Sequence, residues 1–190
     1  MTSKDKQHYK GPVFTVKTKT FEVDGKKLVR DLVESDPVVH VICYDTKMNV
    51  YCIEEFRTGA GKKLMGFPAG KIDDGETPEE SARREVEEEI GMKVEDIKEI
   101  TMPMYTNPGI SNEIAHFFIA VVEEFKEGER KHFPDEGENI KVELKTVHEI
   151  SDIIQNHHRN YIPFGMKSAF LWLMFIQHLS SMMAQHAETK

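Results

Sequence analysis

The first apolar-patterned runs of the chain, VFTVKTKTFEV and KKLVRDLVE, flank Asp24-Gly25. A two-residue turn of this kind needs φ > 0 at both central positions, which Asp-Gly tolerates. Residues 13–34 are therefore expected to form a β-hairpin. PVVHVICYD (37–45) and NVYCIEEF (49–56) are close to continuously apolar. That pattern predicts two strands buried on both faces, joined by a short turn at Thr46 to Met48. Further strands are expected at 94–105, 113–125 and 140–147. The polar, glycine-containing segment 126–139 reads as a long loop, a length usually associated with function or disorder. Residues 149–156 suggest a short helix and 165–184 a longer one, packing its Phe170, Leu173, Met174 and Leu179 side. With no internal repeat and no linker, the pattern predicts one α+β domain. Its expected divisions are a flexible N-terminus (1–12), a hairpin extension (13–34) and a main body (35–190).

The clearest helix signal lies in GKIDDGETPEESARREVEEEIGM (70–92). Thr77-Pro78-Glu79-Glu80 offers an N-cap hydroxyl, proline at the first helical position and glutamate at N3, which together make a capping box. Gly91 supplies the stop. At helical spacing Ala82, Val86 and Ile90 share the core stripe. Glu85, Glu88 and Glu89 fall on its flank, whereas Glu80, Arg83, Arg84 and Glu87 are expected to point more towards solvent. Carboxylates three and four residues apart repel one another. Gathered at the border of the core, they make a hard-oxygen site suited to Mg²⁺ or Mn²⁺.

Composition narrows the field. The chain has 190 residues and a formal net charge of −8, which argues against a nucleic-acid backbone as partner. Cys43 and Cys52 lie in apolar runs and read as buried thiols in a reducing, cytoplasmic setting. The polar opening MTSKDKQHYKG lacks the apolar core of a secretory signal. The most apolar helical run, 169–176, is too short to span a bilayer, so no membrane role is expected. His157-His158 has no partner at ligand spacing and reads as a solvated helix end.

The 70–92 segment resembles the signature of the Nudix hydrolases, G-x5-E-x7-R-E-U-x-E-E-x-G-U, with U a bulky aliphatic residue. Gly70, Glu76, Arg84, Glu85, Val86, Glu88, Glu89, Gly91 and Met92 fill every defined position. The resemblance implies a mixed β-sheet sandwiched between helices and cleavage of a nucleoside diphosphate linked to another moiety. It implies that Glu85 and Glu89 hold divalent metal, with Glu88 nearby and Arg84 orienting a glutamate.

Outside the signature, several segments resemble the ADP-ribose and nucleotide-sugar pyrophosphatases. EEFR (54–57) brings Arg57 as a phosphate clamp, and PAGK (68–71) brings the Ala69 carbonyl to the metal. NPGISNE (107–113) brings Pro108, Gly109 and Glu113 as substrate contacts. DEGENIKV (135–142) resembles the acidic segment that delivers a catalytic base, here Glu136, and a third metal ligand, here Glu138. The likeness runs from about residue 25 to 175. Two positions depart from the subgroup: Gly66 replaces a usual glutamate and Asn107 a usual serine. The expected activity is Mg²⁺-dependent hydrolysis of ADP-ribose or a similar nucleoside diphosphate sugar, giving a nucleoside monophosphate and a sugar phosphate. The alternatives are a GDP-mannose-type hydrolase, an enzyme that sanitises nucleoside triphosphates, and a non-catalytic sensor. Members of the subgroup are usually homodimers that exchange N-terminal strands. A nucleobase would then stack on Phe14 or Tyr9 of a partner subunit.

Overall fold

The structure, a computed structural model, describes residues 5–123, 140–155 and 164–188. It opens with a three-stranded antiparallel sheet: β1 (Lys6–Lys10), β2 (Phe14–Val23) and β3 (Lys26–Ser35). Asp24 and Gly25 turn the β2–β3 hairpin with φ of 51° and 71°, as the sequence predicts. β1 lies within the segment 1–12 that the sequence pattern leads one to expect as a flexible N-terminus. It pairs with β2, and His8 Nε2 lies 2.6 Å from Thr18 Oγ1 across the pair.

Among the described residues, the main body is an eight-stranded mixed sheet. Its elements are β4 (Val38–Tyr44), β5 (Asn49–Arg57), β6 (Lys62–Gly66), β7 (Ala69–Lys71), β8 (Val94–Glu99), β9 (Met104–Tyr105), β10 (Ile114–Val122) and β11 (Lys141–Thr146). The central order is β11-β5-β4-β10-β8, with β6 on β5, β7 on β4 and β9 on β10. β4 and β10 run parallel, from Val38↔Ala115 to Tyr44↔Val121. β6 and β7 are additions to the expected elements. The single strand expected over 94–105 is split into β8 and β9, with Pro103, which has no N–H to give a ladder, just before β9.

Among the described residues, three α-helices cover the sheet: α1 (Pro78–Ile90), α2 (Val147–Gln155) and α3 (Met166–Glu188). Strand alternation assigns the two faces. Val39, Val41, Cys43, Tyr51 and Ile53 pack with Ala82, Val86 and Ile90 of α1. Ile42, Val50, Cys52 and Phe67 pack with Ile150 of α2 and with Leu171, Trp172 and Phe175 of α3. Each side buries a continuous apolar layer, which is the expected sandwich. The two thiols are buried and free on opposite faces. Burial pushes Cys52 up to about 12 and Cys43 well above its ordinary range. On α3, Leu171, Trp172 and Phe175 carry the burial, whereas Leu173 is exposed. The stripe expected through Leu173 is rotated, because Trp172 stacks against Phe67 and leans on Phe175.

The sheet is also split. β4 and β5 pair directly only at Cys43↔Tyr51 and Tyr44↔Val50. Beyond that point they part: β7 pairs with β4 at residues 38–40, and β6 with β5 at residues 53–57. Buried Phe67 closes the fork between β6 and β7.

Candidate active site

A cleft of about 590 Å³ opens at this fork. Val38 and His40 of β4, Glu55 and Arg57 of β5, Met65 and Gly66 of β6 and all of β7 contribute to its walls. Thr106, Asn107 and Glu113 close one side, and Gly165 to Ser168 at the start of α3 close another. Three cations on the cleft are each paired with a carboxylate. Arg57 Nη2 lies 2.8 Å from Glu55, Lys71 Nζ 3.0 Å from Asp36 and Lys167 Nζ 2.5 Å from Glu113.

One edge of β7 faces this opening. Val41 N donates to Pro68 O and Ile72 N to Pro37 O, at 2.8 and 3.0 Å. Hydrogen-bonded pairs alternate with non-bonded ones in an antiparallel ladder. The pair His40↔Ala69 is therefore non-bonded, and the N–H and C=O of Ala69 turn away from β4. Ala69 N donates to Glu89 Oε2 at 3.0 Å, and Arg84 Nη2 donates to the carbonyl of Lys71 at 2.9 Å. The free edge of β7 thus meets the acidic flank of α1.

α1 forms where its local signals say it should. The Thr77 hydroxyl accepts from Glu80 N, the Glu80 carboxylate accepts from Thr77 N, and Gly91 ends the helix at φ 66°. Of the three flank carboxylates, Glu85 and Glu89 are buried, and Glu88 is partly exposed. Gly70 is required opposite Glu85, since a Cβ there would overlap the carboxylate carbon and both oxygens.

Arg84 is not turned to solvent as the helical wheel suggested. Its side chain folds inward, because its hydrogen bonds reach three carboxylates and a carbonyl. Nη1 donates to Glu85 at 2.7 Å and to Glu88 at 3.0 Å, while Nε donates to Glu76 at 3.0 Å. Glu76 also accepts from the Ser81 hydroxyl at 2.5 Å. Arg84 and Ser81 together hold the Glu76 carboxyl down to about 2.

Among the described residues, no three His, Cys, Asp or Glu side chains close around a single point as a metal cage. The donor chemistry nevertheless fits a hard cation. Two buried carboxylates, Glu85 and Glu89, meet a strand edge whose Ala69 carbonyl has left its ladder. Arg84 takes Glu85 and Glu88, and Ala69 N takes Glu89, so each of these charges has a partner in the protein.

The 107–113 loop divides the remaining candidates. Ile110 N and Ser111 N fold back onto the carbonyl of Asn107, with Pro108 and Gly109 at the exposed tip. Pro108 and Gly109 do not line the cleft, whereas Arg57 and Glu113 do. The loop is also fastened to β3, through Val33 N to Ile110 O at 2.8 Å. Glu136, Glu138 and His157-His158 lie outside the described residues. Sequence reasoning missed His40, Asp36 and Lys167, which reach the cleft only through tertiary packing. Lys71 was in view within PAGK and carried no expected role.

A family model described as NUDIX domain matches residues 34–164. The chain belongs to the NUDIX family. Proteins of this family act on small-molecule nucleotide substrates and need divalent metal. Among curated relatives, the chain is 29% identical to an ADP-ribose pyrophosphatase of Bacillus subtilis, covering 94% of this chain and 93% of that protein. It is 32% identical to a methanol dehydrogenase activator of Bacillus methanolicus, over 63% of this chain and 64% of the relative. A mouse ADP-sugar pyrophosphatase is 32% identical over 74% of this chain and 64% of its own length. The NUDIX match includes the fork, β7 and α1, the elements that build the cleft and its acidic flank. No helix among the described residues is long and apolar enough to cross a membrane.

Proposed function

We propose that this NUDIX protein hydrolyses the pyrophosphate bond of ADP-ribose, or of a similar nucleoside diphosphate sugar, with Mg²⁺. The products are a nucleoside monophosphate and a sugar phosphate. The observation that carries the reading is the meeting of the free β7 edge with Glu85 and Glu89 beside a cation-bearing cleft. The names of the Bacillus subtilis and mouse relatives point to the same substrate class.

In this reading Glu85, Glu89, the Ala69 carbonyl and Glu138 hold the metal. A divalent ion held by these residues would neutralise charge on the pyrophosphate and acidify an attacking water. Arg84 fixes the Glu85 and Glu88 carboxylates through charge-assisted bonds, so that their oxygens stay oriented. Arg57 grips a phosphate, giving up Glu55 for it. Glu113 positions the sugar end, and Pro108 and Gly109 build, outside the cleft, the turn that holds the 107–113 loop in place. Glu136 accepts the proton of the water, with Glu88 as the competing base. We further propose a cytoplasmic homodimer built through the N-terminal sheet, where Tyr9, Phe14, Phe21 and Val29 are exposed.

The test is a Mg²⁺-dependent turnover screen of ADP-ribose, GDP-mannose, ADP-glucose, NADH, dinucleoside polyphosphates and nucleoside triphosphates. Release of AMP and ribose phosphate supports the proposal. Preferred release of GMP and sugar phosphate moves it to the GDP-sugar branch. Pyrophosphate released from triphosphates, or no turnover with ligand binding retained, replaces it.

A further inference from the structure

His40 is buried to 8% exposure in the wall of the cleft, and its Nε2 has no hydrogen-bond partner among the described residues. Buried polar groups are almost always paired, so an orphan on the wall of a ligand-sized opening marks a place kept for something else. Its ring is held in place by stacking on Phe117, at 5.7 Å between centroids and 22° between planes. Phe170 meets the other ring of that stack edge-on at 5.0 Å. The imidazole is therefore fixed in orientation while Nε2 is left unsatisfied.

Register says which part of a ligand it would meet. His40 is the direct cross-strand partner of Ala69, and non-bonded pairs bring side chains close on one face of the sheet. If the pyrophosphate lies at the Ala69 edge, the group beside His40 is what is bonded to that pyrophosphate. On both sides that group is a sugar, with the base one unit further away. Burial, with Lys167 and Arg57 nearby, pulls the imidazole down to about 3, so the ring is uncharged at neutral pH. An uncharged imidazole suits a hydroxyl, whereas Arg57, Lys71 and Lys167 are charged donors on the same cleft.

We propose that His40 is a specificity residue of this site, whose free Nε2 hydrogen-bonds a hydroxyl of a sugar attached to the substrate's pyrophosphate. The proposal rests on the nucleotide-sugar reading above. A neutral hydrogen bond at a desolvated site is worth about tenfold in affinity.

The experiment compares wild type with His40→Phe, which keeps a ring against Phe117 but removes both nitrogens, and with His40→Leu. Each is assayed with ADP-ribose, with the analogue whose adenosine ribose is 2′,3′-dideoxy, and with P-methyl-ADP, which has no distal sugar. The expected result is a roughly tenfold higher KM for ADP-ribose in both variants, with kcat within twofold of wild type. The penalty should vanish on whichever analogue lacks the bonded hydroxyl, and that identifies the sugar. A merely structural His40 would not produce this split between KM and kcat. Unchanged KM in either folded variant, or an equal penalty on all three substrates, overturns the proposal while the hydrolase reading stands. Failure of the wild type to release AMP from ADP-ribose overturns that reading, and this proposal with it.

Discussion

Gly70 and Glu85 are in such close approach that no side chain fits between them: a Cβ on Gly70 would overlap the Glu85 carboxylate. A strand residue and a helix residue fifteen positions later thus fix each other, and the strand's neighbouring residue, Ala69, carries the candidate carbonyl ligand. Gly70→Ala must push the buried carboxylate off the β7 edge. Misplacing a reacting or ligating group by about 1 Å costs on the order of 10²-fold in rate. We expect kcat to fall on that scale, with the Mg²⁺ concentration for half-maximal activity displaced upward. Wild-type turnover in Gly70→Ala would show that the Glu85 position is unimportant.

Arg84 ties together carboxylates from the loop before α1 and from two positions on the helix. Arg84→Lys keeps the charge but loses the planar fork that reaches several partners at once. The variant should lose about 2 kcal/mol of stability, the scale of hydrogen bonds to charged groups, together with at least tenfold in kcat. Chemical denaturation and steady-state kinetics on the same preparation test both. Retained stability with lost rate would make Arg84 a purely functional residue.

Acid titration reports the same cluster through Glu76. Arg84 and Ser81 lower its carboxyl from 4.5 to about 2 in the folded protein. A depressed carboxylate binds fewer protons folded than unfolded. Its contribution is therefore fully present above about pH 4.5 and is lost as the pH falls towards 2. Glu76→Gln should flatten the decline of melting temperature over that interval and leave the slope above pH 5 unchanged. An unaltered slope between pH 4.5 and 2 would remove Glu76 from the account.

How far the sequence spoke depended on whether a feature was local. The Thr77–Glu80 capping box, the Gly91 stop and the Asp24-Gly25 turn are written in adjacent residues, and all appear as expected. β6 and β7 were missed because each is short and they flank the Phe67-Pro68 corner, where proline and glycine disguise the strand pattern. β1 was missed because all five of its residues are exposed and polar or aromatic, with no apolar stripe to betray it. At the site, the glutamates of α1 were legible from helical spacing. The inward fold of Arg84 was not, since a helical wheel records where a side chain starts and not where a long one ends. His40 and Lys167 belong to the cleft only because β4 and the first turn of α3 meet beside the fork.

Removing a charge at Glu89 separates metal binding from folding. Glu89 is nearly fully buried, accepts from Ala69 N, and shares the α1 flank with Glu85. Glu89→Gln can still accept that backbone hydrogen bond while relieving like-charge repulsion. In EDTA its melting temperature should equal or exceed that of wild type. With Mg²⁺ at 100 times Kd the wild type should gain about 2.7 kcal/mol, and the variant should gain much less and be nearly inactive. Scanning calorimetry with EDTA and with Mg²⁺ gives both numbers. A wild-type melting temperature indifferent to the two conditions would count against metal at this flank.

The identity of the base separates Glu136 from Glu88. Glu88 lies on α1 with one carboxylate oxygen 3.0 Å from Arg84 Nη1, so neutralising it also disturbs the cluster that orients Glu85. Glu136 comes from the segment that resembles the family's acidic loop, and its loss should act on the chemical step alone. General-base catalysis is worth about 10²–10⁴-fold. Glu136→Gln should lose kcat on that scale while its KM and its Mg²⁺ stabilisation stay near wild type. Glu88→Gln should lose less rate but also some thermal stability. The reverse ranking of the two variants, with Glu136→Gln near wild type, assigns the proton transfer to Glu88.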